Sequence, residues 1–343
     1  MKTFVAFFFV MTLTASIGLA GSVAAPYEIG TWRGFRPAAI SYTFDDDLPN
    51  QYAVAVPMLN AKGFKATLFT VPNWLPGGSW SPVQNAALHG NEIASHTITH
   101  PHLPELSAAQ QTNELAESQA QINAHVTNQL CVTLAYPYCV EADEAITRQY
   151  YIAARGCSGQ LVPSTPENFM NISSFVCGPE GSVKTPQDFN NLADRAAAAH
   201  AWCVYLIHAI DNDKGYSPLS SSTLQACVDY LAAHPDKFWV ETFGNVVRYI
   251  KERDAASVKE TSSQGNRIAL QVTDNLDNAI YNYPLTLRRP LPAHWPAAAV
   301  SQNLQPVKAQ IVTVNSTNYV MFDIVPNGGD IILSKTALSA VEK

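Results

Sequence analysis

Apolar runs alternate with polar, helix-spaced stretches through the middle of this chain. Residues 38–44 are a continuous β-prone run, and residues 52–61 carry the spacing of a helix. Residues 65–71 and 92–95 are further strand candidates. Ser107 stands as an N-cap before a long polar helix reaching about Val126, with Glu114 supporting that start. Residues 132–136 return to strand, and residues 203–207 form the short apolar run that a buried parallel strand needs. Residues 220–233 read as helix, 237–241 as strand, and a last helix runs through Arg253. Strand and helix in alternation predict an α/β fold built on a parallel sheet or barrel.

The pattern changes after about Lys259. Ser262, Ser263 and Gly265 read as a linker. Strand-like stretches without helices follow at 268–272, 285–287, 309–314 and 319–325, separated by turn residues at 315–318 and 327–329. A small C-terminal all-β domain, a sandwich, is expected there. The expected division is therefore an N-terminal segment 1–25, an α/β catalytic domain 26–258 and an accessory all-β domain 259–343. Such an accessory domain often only braces its neighbour. A carbohydrate-binding role would rest on Tyr281, Tyr283 and Trp295 alone.

The first segment has its own signature. Lys2 is followed by an almost wholly apolar stretch over residues 4–20, then by Gly21, Ser22, Ala24 and Ala25. This reads as a secretory signal cleaved between Ala20 and Ala25. The run is short for a membrane span, and no later stretch is long and apolar enough to be one. A secreted protein, extracellular or periplasmic, is expected, with no stable membrane span after cleavage. In that oxidising setting Cys131, Cys139, Cys157, Cys177, Cys203 and Cys227 allow up to three disulfides, and some can be buried thiols instead. The net charge is −7, with no basic stripe, which argues against nucleic acid as a partner. A neutral sugar polymer makes no such demand.

Two polar clusters carry the candidate chemistry. Asp45, Asp46 and Asp47 directly follow an apolar strand, where adjacent carboxylates repel and a cation would relieve them. An acidic helix start is the competing explanation. His96 and His100 are spaced to share one face of a helical turn and so to share a metal. His102 follows Pro101 and does not match that face, so it is read as a supporting residue. One carboxylate and two imidazoles leave positions open for water and substrate, the pattern of a catalytic metal site. Zn²⁺ suits these donors best, and Co²⁺, Ni²⁺ or Fe²⁺ would fit them.

These residues resemble the polysaccharide deacetylases, the NodB-homology group of carbohydrate esterase family 4. The resemblance lies in Thr43-Phe44-Asp45-Asp46 and His96-Thr97-Ile98-Thr99-His100, in residues 65–71 and 90–96 between them, and in Leu206-Ile207-His208. It covers residues 38–253 and leaves out the β domain. It implies a distorted (β/α) barrel and removal of acetyl groups, N- or O-linked, from a sugar polymer such as chitin, peptidoglycan or xylan. It implies Asp45 as the catalytic base, Asp46, His96 and His100 as metal ligands, and His208 as the general acid. The residue matching Tyr138 would donate its backbone N–H to the oxyanion, and Leu206 would lie on the substrate side.

The match departs from the family in one strand. Leu134-Ala135-Tyr136-Pro137-Tyr138-Cys139 has Ala135 where the family's base-orienting Arg stands and Cys139 in place of a Gly. Arg155 is the candidate substitute. A fourth motif would need an Asp near a Trp, for which Asp194 and Trp202 are poorly spaced. Trp74 and Trp80, in residues 72–82, are candidates to line a sugar groove or to pack within the loop. Two other functions stay open: a sugar- or metal-binding protein that has lost activity, and a metal-dependent amidase for a non-sugar substrate. A glycoside hydrolase fits less well, since it needs two separated carboxylates and no metal.

Overall fold

The computed structural model describes residues 22–337. Most of the expected signal segment, residues 1–21, lies outside the described residues. In chain order the strands are β1 (Glu28–Ile29), β2 (Ala38–Asp45), β3 (Ala66–Thr70), β4 (Glu92–Ser95), β5 (Thr133–Ala135), β6 (Ala153–Arg155), β7 (Phe175–Val176), β8 (Trp202–Ile207) and β9 (Phe238–Val240), followed by β10 (Ser257–Gln264), β11 (Arg267–Thr273), β12 (Leu285–Pro290), β13 (Ala297–Gln302), β14 (Gln305–Val307), β15 (Ala309–Val314), β16 (Thr317–Ile324) and β17 (Ile331–Thr336). The helices are α1 (Val56–Ala61), α2 (Ser81–Leu88), α3 (Ala108–His125), α4 (Glu144–Thr147), α5 (Pro186–Ala198), α6 (Ser221–Ala232) and α7 (Phe243–Ala255).

Strands β2 to β9 make one parallel sheet, ordered β6-β5-β4-β3-β2-β8-β7. One edge of β2 is shared: Tyr42–Asp45 pairs with β3, and Ala38–Ile40 pairs with β9. The sheet curls into a distorted barrel. The chain before β7 spans the gap, with Ile172 bonded to β6 and Phe175–Val176 paired with β8. Every residue of β2 is buried, and its polar positions Ser41, Thr43 and Asp45 alternate with apolar or aromatic ones. Its alternate side chains face two environments. Ile40, Tyr42 and Phe44 pack outward with Phe189 of α5 and Leu224 of α6. Ala39 points inward with Phe69, Ala94, Ala135, Ala153 and Trp202, so small side chains and two large rings together fill the barrel interior. No helix among the described residues is long and apolar enough to cross a membrane.

The remaining strands form two antiparallel sheets, β1-β12-β16-β15 and β10-β11-β17-β13-β14. Strand β1 belongs to the first, pairing Glu28 with Arg288, so the start of the described chain completes the C-terminal sheet. Val246, Tyr249 and Ile250 of α7 share a core with Leu285, Phe322 and Leu333. The expected boundary at 258/259 falls inside β10. The expected linker is also not a linker: Ser262 and Ser263 pair with Ala269 and Ile268, and Gly265 (φ 54°) makes the turn. β10 is an edge strand with a largely exposed outer half. Serines there meet water, so their polarity mimics that of a linker. Tyr283 and Trp295 are packing residues. Tyr283 donates to Glu241 and accepts from Arg33, and Trp295 is buried.

Candidate metal and catalytic site

The chain turns sharply at the C-terminal end of β2, so that Asp45 and Asp46 face His96 and His208 while Asp47 faces Tyr52 and Val71. Asp46 (φ 78°) and Asp47 (φ 53°) both take left-handed backbone conformations, each costing about 1–2 kcal/mol for a residue with a Cβ. Asp47 secures the turn. It accepts from Tyr52 Oη at 2.6 Å and from the Val71 N–H at 2.7 Å, tying the end of β2 to the end of β3. The sequence assigned Asp47 no part, yet it fixes the turn on which Asp45 and Asp46 both come within 4.0 Å of His208 Nε2. Burial, then the charges of Asp45 and Asp47, push Asp46 up to about 7. Burial pushes Asp47 up to about 6 against the hydrogen bonds it accepts. Burial would raise Asp45 too, but the Arg155 guanidinium, with His96 and His208, holds it below its ordinary value.

The histidine pair does not sit on a helix. His96 follows β4, and Thr97 (φ 66°) and His100 (φ 60°) are left-handed, so the segment is a folded loop. The loop still brings the two imidazole centroids to 4.7 Å. Glu114 of α3 holds it, accepting from the N–H groups of Ile98 and Thr99 at 3.1 and 3.0 Å and from Thr99 Oγ1 at 2.7 Å. Glu114 is thus a clamp on this loop, while the start of α3 is closed by Ser107 and Gln110. His96 Nδ1 lies 2.8 Å from the Ala135 carbonyl, which requires an N–H there and leaves Nε2 with a free lone pair. Burial pushes His96 down to about 3 and also lowers His100, so both are neutral donors.

Asp46 Oδ1 lies 3.6 Å from His96 Nε2 and 3.7 Å from His100 Nε2. These separations are too long for hydrogen bonds and near the ~3.4 Å edge of a tetrahedron with bonds of about 2.1 Å. Asp46 Oδ1 is buried without a hydrogen-bond partner. Among the described residues these three make the cluster able to hold a metal ion. The donor set therefore fits a divalent cation, and a cation would also relieve the charge that raises Asp46.

Asp45 and His208 flank this cluster. His208 Nε2 faces Asp45 Oδ2 at 4.0 Å and Asp46 Oδ2 at 3.9 Å, and its buried Nδ1 has no protein partner. Asp194 hydrogen-bonds Tyr230, and Trp202 donates to Ser41, so neither orients His208. Arg155, at the end of β6, is 1% exposed and pairs directly with Asp45. Arg155 is also the register partner of Ala135. Its guanidinium lies over Phe69 and donates to Ser174 Oγ at 3.2 Å, in space that the small Ala135 leaves free. Sequence reasoning missed Gln51, whose Nε2 donates to the carbonyls of both Asp45 and His208 and so spaces the two catalytic candidates. It lies in a π-helical turn before α1, a local signal visible only in the backbone.

Leu206 is buried on β8 opposite Thr43, on the side of the sheet that Asp45 shares. Tyr138 (φ 56°) is exposed, its ring 4.6 Å from His100 and stacked on His102 at 3.9 Å. Trp74 lies 4.6 Å from His100, and Tyr216 lies 5.0 Å from His208; both are exposed. Trp80 instead stacks on His125 and packs against the core, so it lines no groove at the site. Of the cysteines, Cys139 and Cys157 form a disulfide, and the other four are buried thiols.

Residues 33–153 match the family described as polysaccharide deacetylase. Gellan lyase from a Bacillus species is 28% identical over 335 residues, 91% of this chain and 13% of that protein. The assigned polysaccharide deacetylase YxkH of Bacillus subtilis is 33% identical over 98 residues, 28% of this chain and 35% of that protein. The chain thus spans well under half the length of either relative. The crystal structure of an assigned polysaccharide deacetylase from Mycobacterium smegmatis superposes with a TM-score of 0.51 at 15% identity, covering 69% of this chain and 98% of that one. That likeness establishes the distorted barrel as the fold.

Proposed function

We propose that this chain, whose residues 33–153 match the polysaccharide deacetylase family, is a metal-dependent hydrolase removing N- or O-linked acetyl groups from a polysaccharide or oligosaccharide such as chitin, peptidoglycan or xylan. The observation that carries this reading is the convergence of Asp45 and His208, 4.0 Å apart, on the cluster of Asp46, His96 and His100. Asp46, His96 and His100 would hold the cation, with Zn²⁺ favoured and Co²⁺ or Ni²⁺ compatible. When bound, the cation polarises the acetyl carbonyl and makes water more acidic.

The protein's own groups supply the proton transfers. Asp45, kept ionised by Arg155, takes a proton from the attacking water. The backbone N–H of Tyr138 donates to the developing oxyanion. His208 Nε2, the ring atom facing the carboxylates, protonates the leaving nitrogen or oxygen. The binding-only alternative rested on Ala135 standing where an Arg is expected. Arg155 against Asp45 favours the active reading instead. Exposed Trp74, Tyr138 and Tyr216 around the site support a sugar substrate, since flat apolar rings stack on pyranose faces. The gellan lyase relative is named for a polysaccharide, which accords with a polymer substrate. The apolar N-terminal stretch and the disulfide support secretion.

The test is acetate release from acetylated chitin, xylan and peptidoglycan fragments, together with metal analysis of the same preparation. Acetate released by the metal-loaded protein, and lost in Asp45→Asn, supports the reading. Stoichiometric metal without acetate from any acetylated sugar overturns it in favour of a binding protein. Turnover of non-sugar amides alone overturns it in favour of an amidase.

A further inference from the structure

We propose that the Cys139–Cys157 disulfide is a positioning clamp for the catalytic site, holding the Tyr138 turn against the strand end that carries Arg155. The inference rests on the deacetylase reading above. Cys139 directly follows Tyr138, and Cys157 lies two residues beyond Arg155, with a Cα–Cα distance of 5.6 Å across the bridge. The bridge therefore adds a covalent link between the proposed oxyanion turn and the strand end carrying Arg155, whose carbonyl also accepts the Tyr136 N–H at 3.1 Å.

The turn has reason to need it. Tyr138 (φ 56°) and Cys139 (φ 60°) are consecutive left-handed residues, and neither is glycine. Such a conformation persists only where surrounding structure holds it. Packing holds this turn on one side only: the Tyr138 ring stacks on His102, while Tyr138 and Val140 are otherwise exposed. The turn keeps only two backbone bonds of its own, from the N–H of Cys139 to the Tyr136 carbonyl and from that of Val140 to the Pro137 carbonyl, both 3.1 Å. The far side of the bridge is firmer. Gly156 is buried and bonds Ile172 at 2.8 Å, and a Cβ there would meet Asn171 Oδ1 at 2.4 Å. The disulfide thus fastens a strained, exposed turn to a packed one. Cys131, Cys177, Cys203 and Cys227 remain buried thiols, so the bridge seen among the described residues is the one at the site.

The experiment compares Cys139→Ala/Cys157→Ala with Cys139→Gly/Cys157→Ala in the full chain. Glycine adopts φ near +60° without a Cβ penalty, whereas alanine does not. If the bridge positions the turn, the alanine variant loses kcat on the order of tenfold or more, because small misplacements at a reacting centre are costly. Bound metal stays at its wild-type value, since the metal ligands sit on other loops. The glycine variant, equally unbridged, recovers most of that kcat. Hydrogen–deuterium exchange over residues 134–142 is read in parallel, and faster exchange in the alanine variant supports the clamp whether or not acetate release is detected. Equal kcat and exchange in all three proteins, or equal losses in both variants, would overturn the clamp. Wild-type protein that releases no acetate overturns the deacetylase reading instead. Should the variants not fold, phosphine reduction of folded wild-type protein replaces them. Loss of kcat at constant bound metal supports the clamp, and unchanged kcat overturns it.

Discussion

Arg155→Met tests the link on which the catalytic reading depends. Methionine keeps much of the apolar volume over Phe69 but removes the guanidinium that pairs with Asp45. Arg155 is 1% exposed and Asp45 3% exposed, so water cannot replace the lost partner. Breaking a buried ion pair from one side costs about 3–5 kcal/mol. Asp45 escapes part of that cost by taking up a proton, which disables it as a base. Its neighbours show the tendency: without a guanidinium of their own, Asp46 and Asp47 are pushed up to about 7 and about 6. At about 1.4 kcal/mol per tenfold in rate, kcat at pH 7 is expected to fall on the order of 100-fold. The acid limb of the pH–rate profile should move to higher pH, because removing a positive charge raises the Asp45 pKa. The assay is acetate release from an acetylated oligosaccharide between pH 5 and pH 9 on the order of ten substrate concentrations, with metal content measured on the same samples. A fall of less than about threefold with an unmoved acid limb would refute the reasoning. The converse can be built: Ala135 and Arg155 are register partners on adjacent strands. Ala135→Arg combined with Arg155→Ala should recover part of the lost rate.

Chelation should abolish acetate release and lower Tm, and His96→Ala should lower metal affinity by more than about tenfold, as read by titration of the metal-free protein with Zn²⁺. Trp74→Ala, which removes an exposed ring beside His100, should raise KM for acetylated oligosaccharides several-fold while leaving turnover of a small acetyl ester unchanged; an equal loss on both would show that the ring does not stack on sugar. Glu252, fully buried and accepting the Tyr283 N–H, is pushed up by burial from 4.5 to about 8. Between those values the unfolded chain has lost the proton that the folded one keeps, so this group makes stability fall as pH rises through that window. Glu252→Gln should flatten the decline in Tm between pH 5 and about pH 8.5, and an unchanged slope would count against it.

Most of the barrel strands were legible because burial on both faces forces apolar runs, as in β8. Strand β4 falls where the pattern put it, as does β15 of the antiparallel sheet; β6 and β7 of the barrel were not read. Helix α5 and strands β13 and β17 were not read. Helix α5 is half polar, and β13 is an alanine-rich strand without a β-branched run. The linker expectation failed for a related reason, since an edge strand facing water reads as a loop. His96 and His100 do lie together, but not through the helical geometry the spacing suggested. Their spacing was informative because any tight turn of that length brings both rings to one point.

By itself the sequence determined the alternation of strand and helix and the order of the reactive residues, since both follow from side-chain type and local spacing. Tertiary structure decided which groups surround and hold those residues. Arg155 meets Asp45 across 110 positions, Gln51 bridges to His208 across 157, and Glu114 reaches back 16 to hold the histidine loop. Such partners leave no local pattern, because only the curl of the sheet brings the C-terminal ends of β2, β4, β5, β6 and β8 to one mouth. Ala135 looked like a defect in the sequence. In the barrel it is the space that Arg155 fills.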